Sequence, residues 1–268
     1  MKPRFSLGRT YRHVNRYRQI ITTLIKYGFQ DIVEQLNLRY YLALSKSVLT
    51  QQPMARIQAV PRAVRVRMII EELGTTFIKF GQIMSTRPDL IPDEFAIELR
   101  KLQDEVPPFP TVEAIALIER ELEQPIGELF RVFDHTPIAS ASIAQVYRAE
   151  LPDGQKVAVK VQRPDIQKTV AIDVEIMLTL ARLAQEHLET MAVFQPVAIV
   201  EEFSRVIENE MNFHVEARNI ERFEEEFRDD DSVRVPGVHR DYSTRHVLTI
   251  EFIDGIKVSD LAALQTAG

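Results

Sequence analysis

The run Val106-Pro107-Pro108-Phe109-Pro110 constrains this chain more than any other segment. Proline fixes φ and lacks an amide donor, so this run cannot lie inside a helix and marks a boundary. The two sides differ in texture. Before the run, apolar residues recur at helical spacing: Ile21, Leu24, Ile25, Phe29, Ile32, Val33 and Leu36 predict an amphipathic helix over Arg18–Leu38. Arg62–Met84 and Asp93–Leu102 continue the helical pattern, and Thr111 opens a short helix ending by Glu123. After Phe130, Arg131–Thr136, Ile143–Leu151 and Lys156–Gln162 read as short strands, the last two joined by the turn Pro152-Asp153-Gly154-Gln155. Helices are expected over Asp165–Leu188 and Val197–Phe227, then strands over Val233–Val238 and Val247–Phe252. Five short strands with helices between the third and fourth form an α+β pattern.

A chain of 268 residues, 45% hydrophobic and 27% charged, has a globular composition and fits one large or two small domains. With no cysteine there is no disulfide scaffold, cysteine nucleophile or thiolate metal site, and the composition suits a reducing compartment. No run approaches 18 apolar residues, so no bilayer span is expected, and the N-terminus shows no apolar signal core.

The net charge of −6 conceals an asymmetry: residues 1–70 carry 13 Lys and Arg against only Asp31 and Glu34. A basic head on an acidic body points to an anionic partner, or to a solvated helix face. The 18–38 helix, with Arg9, Arg12, Arg16 and Arg18 upstream or at its start, can dock on a membrane surface or pack on the protein's own body. Nucleic acid is not expected as a partner, because the bases are not interleaved with stacking aromatics and the body is acidic.

The candidate chemistry begins at Val157-Ala158-Val159-Lys160-Val161-Gln162. Strand alternation puts the three valines on one face and Ala158, Lys160 and Gln162 on the other. A lysine in an apolar strand needs an anion or water for its ammonium. The same arrangement aims a kinase lysine at ATP phosphates, with a small alanine leaving room for adenine; an edge-strand lysine facing solvent is the alternative. The preceding loop, Pro137-Ile138-Ala139-Ser140-Ala141-Ser142, has no glycine, so it cannot cradle phosphate as a glycine-rich loop does. In the helical half, Lys79 and Gln82 share a helix face, and Gly81 between them permits close approach at a propensity cost of about 1 kcal/mol.

Taken together, these segments resemble the AarF/UbiB atypical kinases, linked to ubiquinone biosynthesis. Phe77-Ile78-Lys79-Phe80-Gly81-Gln82, followed by Ser85-Thr86-Arg87-Pro88-Asp89-Leu90-Ile91-Pro92, is similar to the KxGQ signature. Leu102-Gln103-Asp104-Glu105-Val106-Pro107-Pro108 resembles the run after it, and Ala139-Ser140-Ala141-Ser142-Ile143-Ala144-Gln145-Val146 the alanine-rich loop. Val157–Lys160 resembles the nucleotide-lysine motif, and Glu251-Phe252-Ile253-Asp254-Gly255 the hinge between kinase lobes.

The resemblance implies a helical N-terminal extension (1–105), a proline-rich linker and short helix (106–130), a protein-kinase-like small lobe with a five-stranded antiparallel sheet and inserted helices (131–255), and the start of a large lobe (256–268). The rest of the large lobe, with its catalytic loop and metal-binding Asp and Asn, is expected to be absent, so Mg²⁺ would find its ligands there and none here. It implies ATP as cofactor. Lys160 would hold phosphates, Glu216 would pair with it, and Ala139, Ser140, Ala141, Ser142, Ala158, Glu251 and Ile253 would line the nucleotide. Lys79 and Gln82 would inhibit or tune turnover, with Glu210 facing Lys79. Asn212 stands where the family has Asp, which keeps an oxygen acceptor but loses a charge. The implied setting is cytoplasmic, peripheral at the bacterial inner membrane, with ubiquinone-biosynthesis components as partners. A non-catalytic membrane- or partner-binding module with a vestigial pocket is the alternative.

Overall fold

The computed structural model describes residues 7–38, 57–102, 106–188, 193–256, 258 and 260–267. Gln103, Asp104 and Glu105 of the run resembling the family lie outside them. The chain divides into two compact units, Met1–Pro107 with Ala141–Ile143 and Asp165–Glu208, and Pro108–Ser140 with Ala144–Pro164 and Asn209–Gly268.

The first unit is helical. It holds α1 (Leu7–Lys26), α2 (Gln30–Gln35), α3 (Arg62–Leu73), α4 (Thr75–Ser85), α5 (Asp93–Leu99), α8 (Ile166–His187) and most of α9 (Pro196–Glu210). The apolar face of α1 packs inward: Ile21 and Ile25 join Val33, Leu36 and Leu38 in a core that Leu180, Leu183 and Ala184 of α8 complete. Of the two dispositions open to the amphipathic 18–38 segment, the described residues therefore show packing on the protein's own body.

Two of its basic residues, Arg16 and Lys26, are satisfied internally. The Arg16 guanidinium donates to both Asp173 carboxylate oxygens, at 2.6 and 2.9 Å, and to the Leu73 carbonyl at 2.7 Å. Lys26 and Tyr27 both donate to Glu72. Burial opposes ionisation of Glu72, but these hydrogen bonds outweigh it and hold its carboxyl below the usual range.

Two expected helices are each divided by a glycine. Gly28, at φ +78°, separates α1 from α2, and Arg65 Nη1 donates to the neighbouring Tyr27 carbonyl at 2.9 Å. Gly74, at φ +90°, separates α3 from α4. Positive φ is open to glycine at little cost, so each break sits where the sequence permits it.

The second unit holds the sheet, α6 (Thr111–Leu122), α7 (Ile126–Leu129), α10 (Phe213–Glu226) and α11 (Leu261–Ala267). Its strands are β1 (Val132–Phe133), β2 (Ala139–Ser140), β3 (Ala144–Glu150), β4 (Lys156–Gln162) and β5 (Val247–Glu251). All pairs are antiparallel, in the order β1-β3-β4-β5 with β2 also on β3. Val157, Val159 and Val161 are fully buried against Ala114, Leu117 and Ile118 of α6, together with Tyr147 and Val247. Burying such side chains stabilises the unit by about 1.5–3 kcal/mol each. The expected α+β class with a five-stranded antiparallel sheet is thus present, with one exchange among its strands. Val233–Val238 is not a strand; Val238 makes only an isolated bridge to Ile250. The fifth member is instead β2, in the segment expected to be loop.

The single helix expected over 197–227 is two. Met211 and Asn212 separate α9 from α10, and Asn212 Oδ1 accepts from the His214 amide at 3.2 Å. Asn212 is thereby the N-cap of α10, a role for which asparagine is among the preferred residues.

Candidate nucleotide site around Lys160

Lys160 lies on β4 opposite Val146 of β3 and Leu248 of β5, on the face away from the valine core. Its ammonium donates to both carboxylate oxygens of Glu216, at 2.8 and 2.7 Å. It also stands 5.0 Å from the centroid of the Phe213 ring, one turn earlier on α10. A cation over an aromatic face is attracted to it. The pair is half-buried, with side-chain exposures of 28% and 39%, so a ligand can reach the ammonium. With two of its three donors taken by the Glu216 carboxylate, the ammonium keeps one for an anion.

Ala158 lies two residues before Lys160 on the same face and leaves that part of the strand low. Ser140, on β2, accepts from Arg163 Nη2 at 2.9 Å. Arg163 in turn lies over the Phe109 ring, at 5.4 Å from its centroid, and burial lowers the pKa of its guanidinium. Gln145, fully buried on β3, accepts from the Phe109 amide at 2.5 Å and donates to Tyr147 Oη at 2.6 Å. The start of the alanine-rich segment is therefore braced from behind the sheet by side chains, not by glycine geometry. Sequence reasoning names Gln145 only as part of the alanine-rich run and passes over Arg163; the contacts of both with Phe109 come only with the fold.

The other expected residues fall as follows. Ala139 is an exposed residue of β2, while Ala141 and the buried Ser142 group with the first unit. Glu251 ends β5, paired in register with Val157 and ion-paired with Arg234; Ile253 follows it, exposed. Glu210 is the last residue of α9. Lys79 and Gln82 lie on α4 in the first unit, and Gln82 Nε2 approaches the Leu102 carbonyl at 3.5 Å. Gly81 is there for packing: a Cβ on it would overlap Leu102 Cδ1 and stand 3.2 Å from Ile70 Cδ1. The close approach expected at this glycine comes from side chains, not from another backbone.

The ABC1 atypical kinase-like domain matches residues 101–268. The chain is 42% identical to the probable protein kinase UbiB of Marinobacter nauticus, over 77% of this chain and 38% of that protein. It is 39% identical to the probable protein kinase UbiB of Aeromonas salmonicida, over 97% of this chain and 47% of that protein. It is also similar to the solved Rv3197–erythromycin complex from Mycobacterium tuberculosis, at 30% identity over 72% of this chain and 48% of that one, with a TM-score of 0.48. The chain spans less than half the length of these curated relatives. The ABC1 match and the UbiB relatives agree with the order of motifs along the sequence, and the chain belongs to the AarF/UbiB family of atypical kinases.

Proposed function

We propose that this chain supplies the nucleotide-binding small lobe and the helical extension of an atypical kinase or ATPase that supports ubiquinone biosynthesis. The Lys160–Glu216 pair carries this reading. A kinase-like family implies use of ATP, and a strand lysine oriented by a helix glutamate is the arrangement by which kinases hold the α- and β-phosphates.

In this reading ATP supplies the transferable phosphoryl group, and the residues here bind and orient it. Lys160 turns a donor toward the phosphates while Glu216 keeps its ammonium from swinging into solvent. Ala158 admits the base, Ser140 and Ala139 approach the phosphates, and the backbone around Glu251 to Ile253 meets the base edge. Each charge-assisted hydrogen bond of this kind contributes about 1.5–3 kcal/mol, or about 10- to 150-fold in affinity. Among the described residues no group of three His, Asp or Glu side chains converges to hold a metal ion. Lys79 and Gln82 are read as residues that tune turnover, supported by their KxGQ-like spacing.

The name UbiB borne by the relatives supports the link to ubiquinone. Among the described residues no helix is long and apolar enough to cross a membrane. The basic excess of residues 1–70 supports a peripheral position at the inner membrane of a bacterium. The functional test is the quinone content of a bacterial strain deleted for the gene. Wild-type protein restores ubiquinone and Lys160→Met does not; equal restoration by both would overturn the reading.

A further inference from the structure

We infer that Gln162 is a positioning residue for the Lys160–Glu216 pair, acting through the start of α10. The inference rests on the nucleotide reading of that pair and deepens it.

Gln162 lies two residues beyond Lys160 on the same face of β4 and is 3% exposed. Its Nε2 donates to the carbonyl of Met211 at 2.9 Å, a contact that is itself buried. Met211 immediately precedes the N-cap Asn212. The Gln162 backbone amide donates to the His246 carbonyl at 3.0 Å, and the Phe213 amide to the Arg245 carbonyl at 3.0 Å. These three bonds close a ring joining the end of β4, the approach to β5 and the first turn of α10. Both partners of the ion pair lie a short distance from this ring. Lys160 is two residues back along the strand, about 6.6 Å, and Glu216 is three residues along the helix from Phe213, about 4.5 Å.

The ring closes only if residue 162 is long and carries a donor at its tip. A β-branched or apolar residue would suit the strand equally well, yet would leave the Met211 carbonyl buried without this donor. Backbone bonds alone fix β4 against β5 and α10 against the approach to β5. Besides the Lys160–Glu216 pair itself, the Gln162 side chain ties the residue just before the N-cap of α10 to the strand that carries Lys160. It therefore sets how far along β4 the carboxylate of Glu216 arrives.

A general packing role and a positioning role are separable by a double-mutant cycle in the full-length protein, reading Mg-ATP affinity and melting temperature for Gln162→Met, Glu216→Gln and the double variant. Met keeps the length and loses the donor. The positioning role predicts that Gln162→Met weakens Mg-ATP binding about tenfold in the wild-type background and not at all in the Glu216→Gln background, while lowering the melting temperature equally in both. Gln162→Asn, which keeps the amide but falls short of Met211, acts in the same direction and serves if Gln162→Met does not fold. Wild-type affinity in the Gln162 variants, or the same loss in both backgrounds, overturns the inference while leaving the nucleotide reading in place. Wild-type affinity in Glu216→Gln alone overturns both.

Discussion

Lys160 and Glu216 are 56 positions apart in the chain, and their side chains meet at 2.7 Å. The pair is partly open to solvent, and ion pairs of that exposure contribute little to folding, about 1 kcal/mol or less. Arg16 and Asp173 make the contrasting case in the helical unit, also paired at 2.6 Å but with Asp173 only 1% exposed. Burial separates the two pairs: the open one contributes little to folding and is, in the reading proposed above, free to meet a phosphate, while the closed one holds helices together.

Asp173→Ala should therefore be severely destabilising. It leaves the Arg16 guanidinium, 17% exposed, without the carboxylate that takes two of its donors. Breaking a buried pair from one side costs about 3–5 kcal/mol. Urea unfolding measures it, and a loss below about 1 kcal/mol would contradict the assignment.

Asn212 should behave as a helix cap. Removing the Oδ1 acceptor with Asn212→Ala costs about 1 kcal/mol of stability. Asn212→Asp keeps the acceptor and places a negative charge at the N-terminus of α10, which is favourable by about 0.3–1 kcal/mol. Thermal melts of the two variants should move in opposite directions. A destabilised Asn212→Asp would show that the amide group, not the cap, is what this position requires.

Stability should fall in acid partly through Glu121. Burial opposes its ionisation, but hydrogen bonds from His246 Nδ1 at 2.8 Å and Thr244 Oγ1 at 3.0 Å prevail and depress its pKa. A depressed carboxylate contributes stability that is fully present above its unfolded value, about 4.3, and lost as pH falls through the lower folded value. The stability difference between wild type and Glu121→Gln should hold down to about pH 4.3 and close below it. A difference unchanged at about pH 3 would contradict this.

What could be read from the sequence follows from which interactions are local. The alternation of Val157, Val159 and Val161 with Lys160 places β4 and its two faces directly, because side-chain period is a backbone property. The break at Met211-Asn212 is not visible in the periodicity, since Met211 and Phe213 are both buried and the apolar stripe runs across it. Val233–Val238 has strand-forming residues but pairs only through Val238, and β propensity without a partner makes no strand. Ala139 and Ser140 have poor propensity yet pair with Val146 and Gln145, so tertiary context decides there. Glu216 was legible only through family resemblance. Several glutamates share α10, and the one that meets Lys160 is selected by the packing of the helix start, in which Gln162 and Arg245 take part.

The central claim is that Lys160, held by Glu216, binds nucleotide phosphate. The most direct test is the affinity of the full-length protein for Mg-ATP, measured by calorimetry for wild type and Lys160→Met. Loss of the charge-assisted contact predicts binding weaker by about 10- to 150-fold, with the melting temperature nearly unchanged. Equal affinity in the two proteins would contradict the account and return Lys160 to the status of a solvent-facing lysine with a glutamate neighbour.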